Sequence, residues 1–182
     1  MRLRKTIFFS SLGLWLLLAA AIGHAQNSPP REYQLKAAFL FNFAKFIDWP
    51  PETFADEKSP FLIGVLGDNP FGNDLQQTVA GKKINDRPIA VQLCHAVAEA
   101  TNCQILFISS SEKKHFAEII QSLHGAAILT VSETDQLKDS GVMINFVQES
   151  GKIRFQIKDA AARAARLKIS AKLLSLAVSS PH

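Results

Sequence analysis

Residues 61–67, FLIGVLG, are apolar almost without interruption, and the polar and small residues of 68–73 follow them. A short apolar run that ends in turn-forming residues is typical of a strand buried on both faces. Because strands of antiparallel sheets usually alternate apolar and polar side chains, this run favours a mainly parallel sheet that helices cover on both faces.

The rest of the chain repeats the alternation of strand and helix. Further strands are predicted at residues 87–93, 104–109, 126–132, 142–148 and 152–158, and helices at residues 74–79, 110–125, 134–138 and 159–178, the last with a break near 167–170. Glu149-Ser150-Gly151 predicts a hairpin turn between the last two strands. The expected fold class is α/β, a mainly parallel sheet flanked by helices with an antiparallel hairpin at one edge.

The segment before the first strand, YQLKAAFLFNFAKFIDWP (33–50), has helical periodicity and ends at Pro50-Pro51. Its two lysines and its aspartate exclude a membrane span. It is therefore predicted to be an amphipathic helix whose apolar face packs on the sheet. The residues assigned to that face are Leu35, Phe39, Phe43, Phe46 and Ile47.

Phe41 does not share that apolar face, because its position on the helix lies between those of Gln34 and Asp48. Two interpretations stay open: a neighbouring loop covers Phe41, or Phe41 and Trp49 belong to a surface that contacts another protein or a second copy of the chain.

Residues 1–25 have the three parts of a secretory signal peptide: a basic start, an apolar segment at 7–22 and small residues before a cleavage site after Ala25. The alternative is an uncleaved anchor. Residues 26–182, without internal repeats or low-complexity linkers, are predicted to form a single α/β domain. The full chain has 20 basic and 16 acidic residues, and three of the basic residues lie in residues 1–25. Without that segment the chain has 17 basic and 16 acidic residues, and this nearly neutral charge excludes a strongly basic nucleic-acid-binding protein.

The two cysteines, Cys94 and Cys103, lie in a chain with an export signal. An even number of cysteines in an oxidising compartment favours a disulfide bond between them. A bond that closes a loop of about ten residues stabilises a protein by roughly 2.5–3 kcal/mol. The alternative is two separate reduced thiols.

Sequence motifs of catalysis are absent from the chain. The glycines of GVLGDNPFG (64–72) do not have dinucleotide-loop spacing, and the chain has neither a Walker sequence nor a nucleophile-elbow serine nor HExxH. Its histidines are not spaced as metal ligands. We therefore expect neither an enzyme nor a cofactor nor a metal site.

A locally basic surface is predicted near the C-terminus. Along KIRFQIK the side chains of Lys152, Arg154, Gln156 and Lys158 share one face, and the following helical segment adds Arg163, Arg166, Lys168 and Lys172. Asp159 is the only acidic residue from position 152 to the end. Arg154, Lys168 and Lys172 are therefore candidates to contact an acidic partner or a small anion, unless the charges only protect a solvated strand edge.

Seven segments in this order resemble the YfiR family of periplasmic regulators: YQLKAAFLFNFAKFIDWP (33–50), FLIGVLGDNPFG (61–72), CQILFIS (103–109), ILTVSE (128–133), MINFV (143–147), KIRFQI (152–157) and LKISAKLLSLA (167–177). The resemblance implies a non-enzymatic repressor in the periplasm. Such proteins bind the periplasmic sensory domain of an inner-membrane diguanylate cyclase and so lower cyclic di-GMP and biofilm formation. It also implies a homodimer whose stability depends on disulfides.

A second hypothesis is a periplasmic protein that binds a small ligand. Open α/β sheets bind ligands in the crevice beyond the carboxyl ends of their strands. Polar side chains expected at that edge are Asp68, Asn69, Ser109, Ser110 and Ser132. The same residue types also cap helices and form turns.

Overall fold

The computed structural model describes residues 29–134 and 141–179 of the chain. The predicted signal peptide (1–25) and all but the first residue of the predicted helix at 134–138 lie outside these ranges. The helices are α1 (Pro29–Phe46), α2 (Asp74–Val79), α3 (Phe116–Ser122), α4 (Asp159–Ala164) and α5 (Ala171–Leu174). The strands are β1 (Ile47–Asp48), β2 (Phe61–Leu66), β3 (Lys83–Ile84), β4 (Arg87–Cys94), β5 (Ile105–Ile108), β6 (Leu129–Ser132), β7 (Ile144–Glu149), β8 (Lys152–Ile157) and β9 (Lys168–Ile169). None of the helices described is both long and apolar enough to cross a membrane.

The central sheet has seven strands in the order β3-β4-β2-β5-β6-β7-β8. The five strands from β4 to β7 in this order pair in parallel, and β8 pairs antiparallel with β7. This confirms the predicted α/β class and its hairpin. The opposite edge carries a second antiparallel pairing, between β3 and β4, that was not predicted.

The apolar runs in the sequence correspond to the inner strands. Every residue of β5 and of β6 is buried, and so are five of the six residues of β2. The hairpin between β7 and β8 turns through Ser150 and Gly151, which both have positive φ, 51° and 72°. A two-residue turn with this geometry matches the twist of the strands it joins.

Helix α1 packs on the sheet through a buried stripe that contains two of the five predicted residues, Phe43 and Ile47. The buried members of this stripe are Lys36, Ala37, Leu40, Phe43, Ala44 and, just past the helix, Ile47. Phe39 and Phe46 are half-buried against the core. The prediction that Leu35 packs on the sheet is wrong, because Leu35 lies two turns before the exposed Asn42 and is itself 44% exposed.

Two short pairings modify the predicted helices. Helix α1 ends at Phe46 rather than at Trp49, because Ile47 and Asp48 pair antiparallel with Ile169 and Lys168. That pairing explains the break expected at 167–170 in the C-terminal helical segment. The predicted helix at 110–125 is a 3-10 helix at Ser110–His115, followed by α3.

Candidate functional site

A groove with a volume of about 790 Å³ lies between the outer face of α1 and the edge strand β8. Its walls come from three separate parts of the chain: the first half of α1, the start of β8 and Leu176 after α5. The lining residues are Arg31, Glu32, Gln34, Leu35, Ala38, Phe39, Gly151, Lys152, Ile153, Arg154, Phe155 and Leu176.

The groove is apolar at its floor and at two points on its walls. Phe39 and Phe155 meet at the floor with ring centroids 5.5 Å apart. Leu35 and Leu176 are 44% and 53% exposed, and Leu93 is the only other large apolar side chain exposed to this degree in residues 29–134 and 141–179. Two of the three therefore line one groove, which is the arrangement expected of a contact surface.

The charge on the groove's rim is positive. Arg31, Lys152 and Arg154 are exposed, and none of them forms an ion pair with a residue that the structure describes. Glu32 is the only acidic residue of the lining, and its carboxylate contacts Lys36 and the side-chain amide of Gln148. The rim therefore attracts carboxylates.

Lys36 holds the α1 wall of the groove in place. Its ammonium group, only 4% exposed, forms ion pairs with Glu32 on the same helix and with Glu133 at the end of β6. The Lys36 nitrogen also lies 4.6 Å from the centre of the Tyr33 ring. Because a buried cation is stable only when it is paired, these contacts fix α1 against the sheet.

Hydrogen bonds position Glu133. The Tyr33 hydroxyl donates to Glu133 Oε1 at 3.0 Å, and burial, followed by the nearby Glu133 charge, raises the pKa of Tyr33 above its ordinary value. The side chain of Asn145 binds the backbone of Thr134 through both its oxygen and its nitrogen, at 3.0 and 2.6 Å. The partner of Lys36 is therefore held rigidly where β6 ends.

The predicted partner-binding residues lie in three environments. Arg154 is on the rim of the groove. Lys168 pairs with Asp48 in the β1–β9 register, and Lys172 places its nitrogen 5.3 Å from the ring of Phe46, so both lie near the end of α1. The predicted basic row on β8 is interrupted, because Gln156 is only 7% exposed and donates a hydrogen bond to the Ser179 carbonyl.

Phe41 and Trp49 are not among the residues that line the groove. Phe41 is half-buried, with the ammonium groups of Lys82 and Lys45 at 4.4 and 5.6 Å from its ring centre. Trp49 packs edge-on against Phe61 at 5.0 Å and donates its indole N–H to the Gln104 carbonyl at 3.0 Å. Of the five candidates, only Arg154 lines the groove, and a role of each in partner binding stays a prediction.

Three of the five polar residues proposed for a small-ligand site use their side chains in hydrogen bonds within the protein. Ser109 Oγ accepts from the Ser111 amide, Ser132 Oγ donates to the Ile108 carbonyl, and Asn69 closes its own turn. Ser110 begins the 3-10 helix, and the backbone amide of the exposed Asp68 donates to Ser111 Oγ at 3.0 Å.

The loop that follows β5 packs tightly onto the end of β2. A Cβ at Gly67, whose φ is +85°, would lie 2.4 Å from Ser111 Oγ and 2.8 Å from Glu112. Side chains of the protein itself therefore lie against the carboxyl end of β2 at Gly67. Within the described residues, no group of three or more His, Cys, Asp and Glu side chains could hold a metal ion.

Cys94 and Cys103 are present as free thiols that lie close to each other. Cys94 ends β4 and Cys103 precedes β5, and both are buried among apolar side chains. Burial, with the neighbouring Cys94 as the next cause, raises the pKa of Cys103 to about 12. The proximity of the two residues is what the predicted disulfide requires, and the bond itself stays a prediction.

We expect the native exported protein to contain the Cys94–Cys103 disulfide and to show no labelling by a thiol reagent in denaturant. Labelling of two thiols would contradict this.

The pH dependence of stability offers a second test, because the pKa of Cys103 is about 12 in the folded protein and 9.0 without its environment. A raised pKa means that the reduced protein has its full stability below pH 9 and loses it as the pH rises, by roughly 1.5 kcal/mol between pH 9 and 10.5. Urea unfolding should show a larger loss of stability over this pH range in the reduced protein than in the oxidised protein, because Tyr33, whose pKa is also raised, titrates in both.

Sequence reasoning missed Lys36, Leu35 and Leu176 as parts of the site. A signal for Lys36 was present, because it lies four residues before Leu40 and seven before Phe43 and hence on the buried face of α1. A lysine on such a face needs a carboxylate partner. Nothing in the sequence indicated that this partner is Glu133, 97 residues away.

Comparison with known families agrees with the order of motifs. A protein-family model described as YfiR/HmsC-like matches residues 33–178 of the 182-residue chain. Proteins of this family are periplasmic regulators in diguanylate cyclase signalling. No curated protein sequence matches the chain. Since the family model covers well over half of the chain, the protein belongs to the YfiR/HmsC-like family.

Proposed function

We propose that the protein is a periplasmic repressor that binds the periplasmic sensory domain of an inner-membrane diguanylate cyclase and thereby lowers cyclic di-GMP and biofilm formation. The observation that carries the proposal is the family match over residues 33–178. The groove with its unpaired cations supports a role in binding another protein. The proposal includes export, a homodimer and the absence of catalytic activity.

Repression of this kind is a shift of a conformational equilibrium. The repressor binds the inactive state of the cyclase more tightly than the active state, because a ligand with equal affinity for both states changes neither population. Conversion of a cyclase that is 99% active to one that is 99% inactive requires a difference in binding free energy of about 5.5 kcal/mol. The functional variants of this protein are therefore those that reduce this difference.

Deletion of the gene is expected to raise cellular cyclic di-GMP and surface attachment, and expression of the full chain is expected to reverse both effects. A chain that lacks residues 1–25 is the matched control, since it should accumulate without export and fail to reverse them. Mass spectrometry of nucleotide extracts and a crystal-violet attachment assay give the two readouts. Unchanged cyclic di-GMP in the deletion strain would rule the function out, and full reversal by the truncated chain would rule out action in the periplasm.

A further inference from the structure

We propose that the groove between α1 and β8 is a docking surface for an extended segment of a partner protein that carries both apolar side chains and carboxylates. This inference rests on the proposed function for the identity of that partner. It goes beyond that function because it assigns the surface of this chain that makes the contact and the chemistry of the segment that it accepts.

The apolar part of the segment is inferred from the groove's walls and floor. Leu35 and Leu176, on opposite walls, are 44% and 53% exposed, although the chain buries most of its other large apolar side chains. Between them lie the half-buried Phe39 and the nearly buried Ile153 and Phe155. A segment with one or two aliphatic or aromatic side chains would bury both leucines at once.

The carboxylates of the segment are inferred from the rim. Arg31, Lys152 and Arg154 have no ion-pair partner among the described residues, whereas Glu32 is already bound by Lys36 and Gln148. Each arginine can bind a carboxylate through two parallel hydrogen bonds. The positive rim also argues against docking of a second copy of this chain in the groove, because a symmetric contact would place the rim cations of both copies next to each other.

The extended form of the segment is inferred from the edge of the sheet. The amide of Val178 donates to the Phe155 carbonyl at 2.9 Å, so the chain's own C-terminal residues pair with one half of the outer edge of β8. The backbone N–H and C=O of Ile153, two residues before Phe155, face the same outer edge of β8. No described residue forms a hydrogen bond with them. An extended segment can continue this pairing and place alternate side chains in the groove.

The groove can be tested by photocrosslinking in cells. The crosslinking amino acid p-benzoylphenylalanine replaces Leu35, Leu176 or, as a matched control, Leu93, which is 51% exposed on β4, near the edge of the sheet opposite β8. We expect adducts with another protein from the first two positions and not from the control, and a crosslinked peptide that contains Asp or Glu. Arg154→Glu should reduce the yield of these adducts at least fivefold, whereas Lys113→Glu, an exposed charge reversal on the 3-10 helix, should leave it unchanged.

Four results would overturn the inference: no adduct from either groove position, adducts only with a second copy of the chain, crosslinked peptides without acidic residues, or a yield that Arg154→Glu does not change. The melting temperature of Arg154→Glu, expected to equal that of the unaltered protein, excludes unfolding as the cause of a lower yield.

The deletion strain separates this inference from the proposed function. If deletion raises cyclic di-GMP while groove adducts are absent, only the groove assignment fails. If groove adducts form with an acidic segment and deletion leaves cyclic di-GMP unchanged, only the cyclase function fails.

Discussion

Phe43→Asp is expected to abolish the folded state. Phe43 is fully buried, and its ring centre lies 5.1 Å from that of Phe155 and 5.9 Å from that of Phe146. Loss of a buried phenylalanine costs about 3–5 kcal/mol, and burial of an unpaired carboxylate adds several more. Because domains of this size are stable by about 5–15 kcal/mol, little folded protein should remain. Circular dichroism and urea unfolding measure the result.

Phe41→Asp, two residues earlier on the same helix, is the matched control. Phe41 is half-buried, and the new carboxylate would lie near the ammonium groups of Lys82 and Lys45. The expected loss of stability is about 1 kcal/mol, since only part of the phenylalanine burial is lost and the lysines pair with the new charge. Weaker self-association or repression in this variant would support a contact role for Phe41. A loss as severe as that of Phe43→Asp would show that Phe41 is core and that the contact role is wrong.

Lys36→Met is expected to lower the free energy of unfolding by about 3 kcal/mol at neutral pH. Methionine keeps most of the apolar stem of Lys36, but it leaves the carboxylates of Glu32 and Glu133 without their shared cation. The two glutamate side chains are 20% and 11% exposed, and this partial hydration places the loss at the low end of the range for a broken buried pair. Urea unfolding of the purified variant measures it.

Two further variants identify the cause. Lys45→Met removes an exposed lysine from the same helix and should change stability by less than about 0.5 kcal/mol. Glu133→Gln combined with Lys36→Met should cost less than the sum of the two single changes, because the second change removes a carboxylate that the first left unpaired. Strict additivity of the two costs would show that the ion pair does not stabilise α1 on the sheet.

The strands and the turns are the features that sequence reasoning predicted best. The apolar runs at 61–67 and 104–109 correspond to β2 and β5, and the bounds predicted for α2, Asp74 to Val79, are those observed. Each of these signals is local, since burial on both faces requires apolar residues in succession. The helical face of α1 was predicted correctly at Phe43 and Ile47, but Leu35 was assigned to it and the buried Lys36 was not.

The candidate site was predicted only through the basic residues Lys152 and Arg154, whose exposure follows from the alternation of β8. Leu35 and Leu176 belong to segments about 140 residues apart, and neither carries a local mark that distinguishes it from a core leucine. The pairing of β1 with β9 joins the two residues after α1 to two residues near 168, and it has no periodic signal of its own. The same is true of Lys36 and Glu133, which meet only because α1 crosses the end of β6.

By itself, the sequence of this protein determined the α/β class, the order of its strands along the chain and its membership in the YfiR/HmsC-like family, because periodicity, turn chemistry and motif order are properties of consecutive residues. The tertiary structure alone decided which exposed apolar and charged side chains share a groove. Packing of α1 on the sheet brings Arg31 and Leu35 beside Arg154, and the ion pairs of Lys36 hold them there. A surface assembled from distant segments depends on how the elements pack, and burial patterns within one segment do not encode that arrangement.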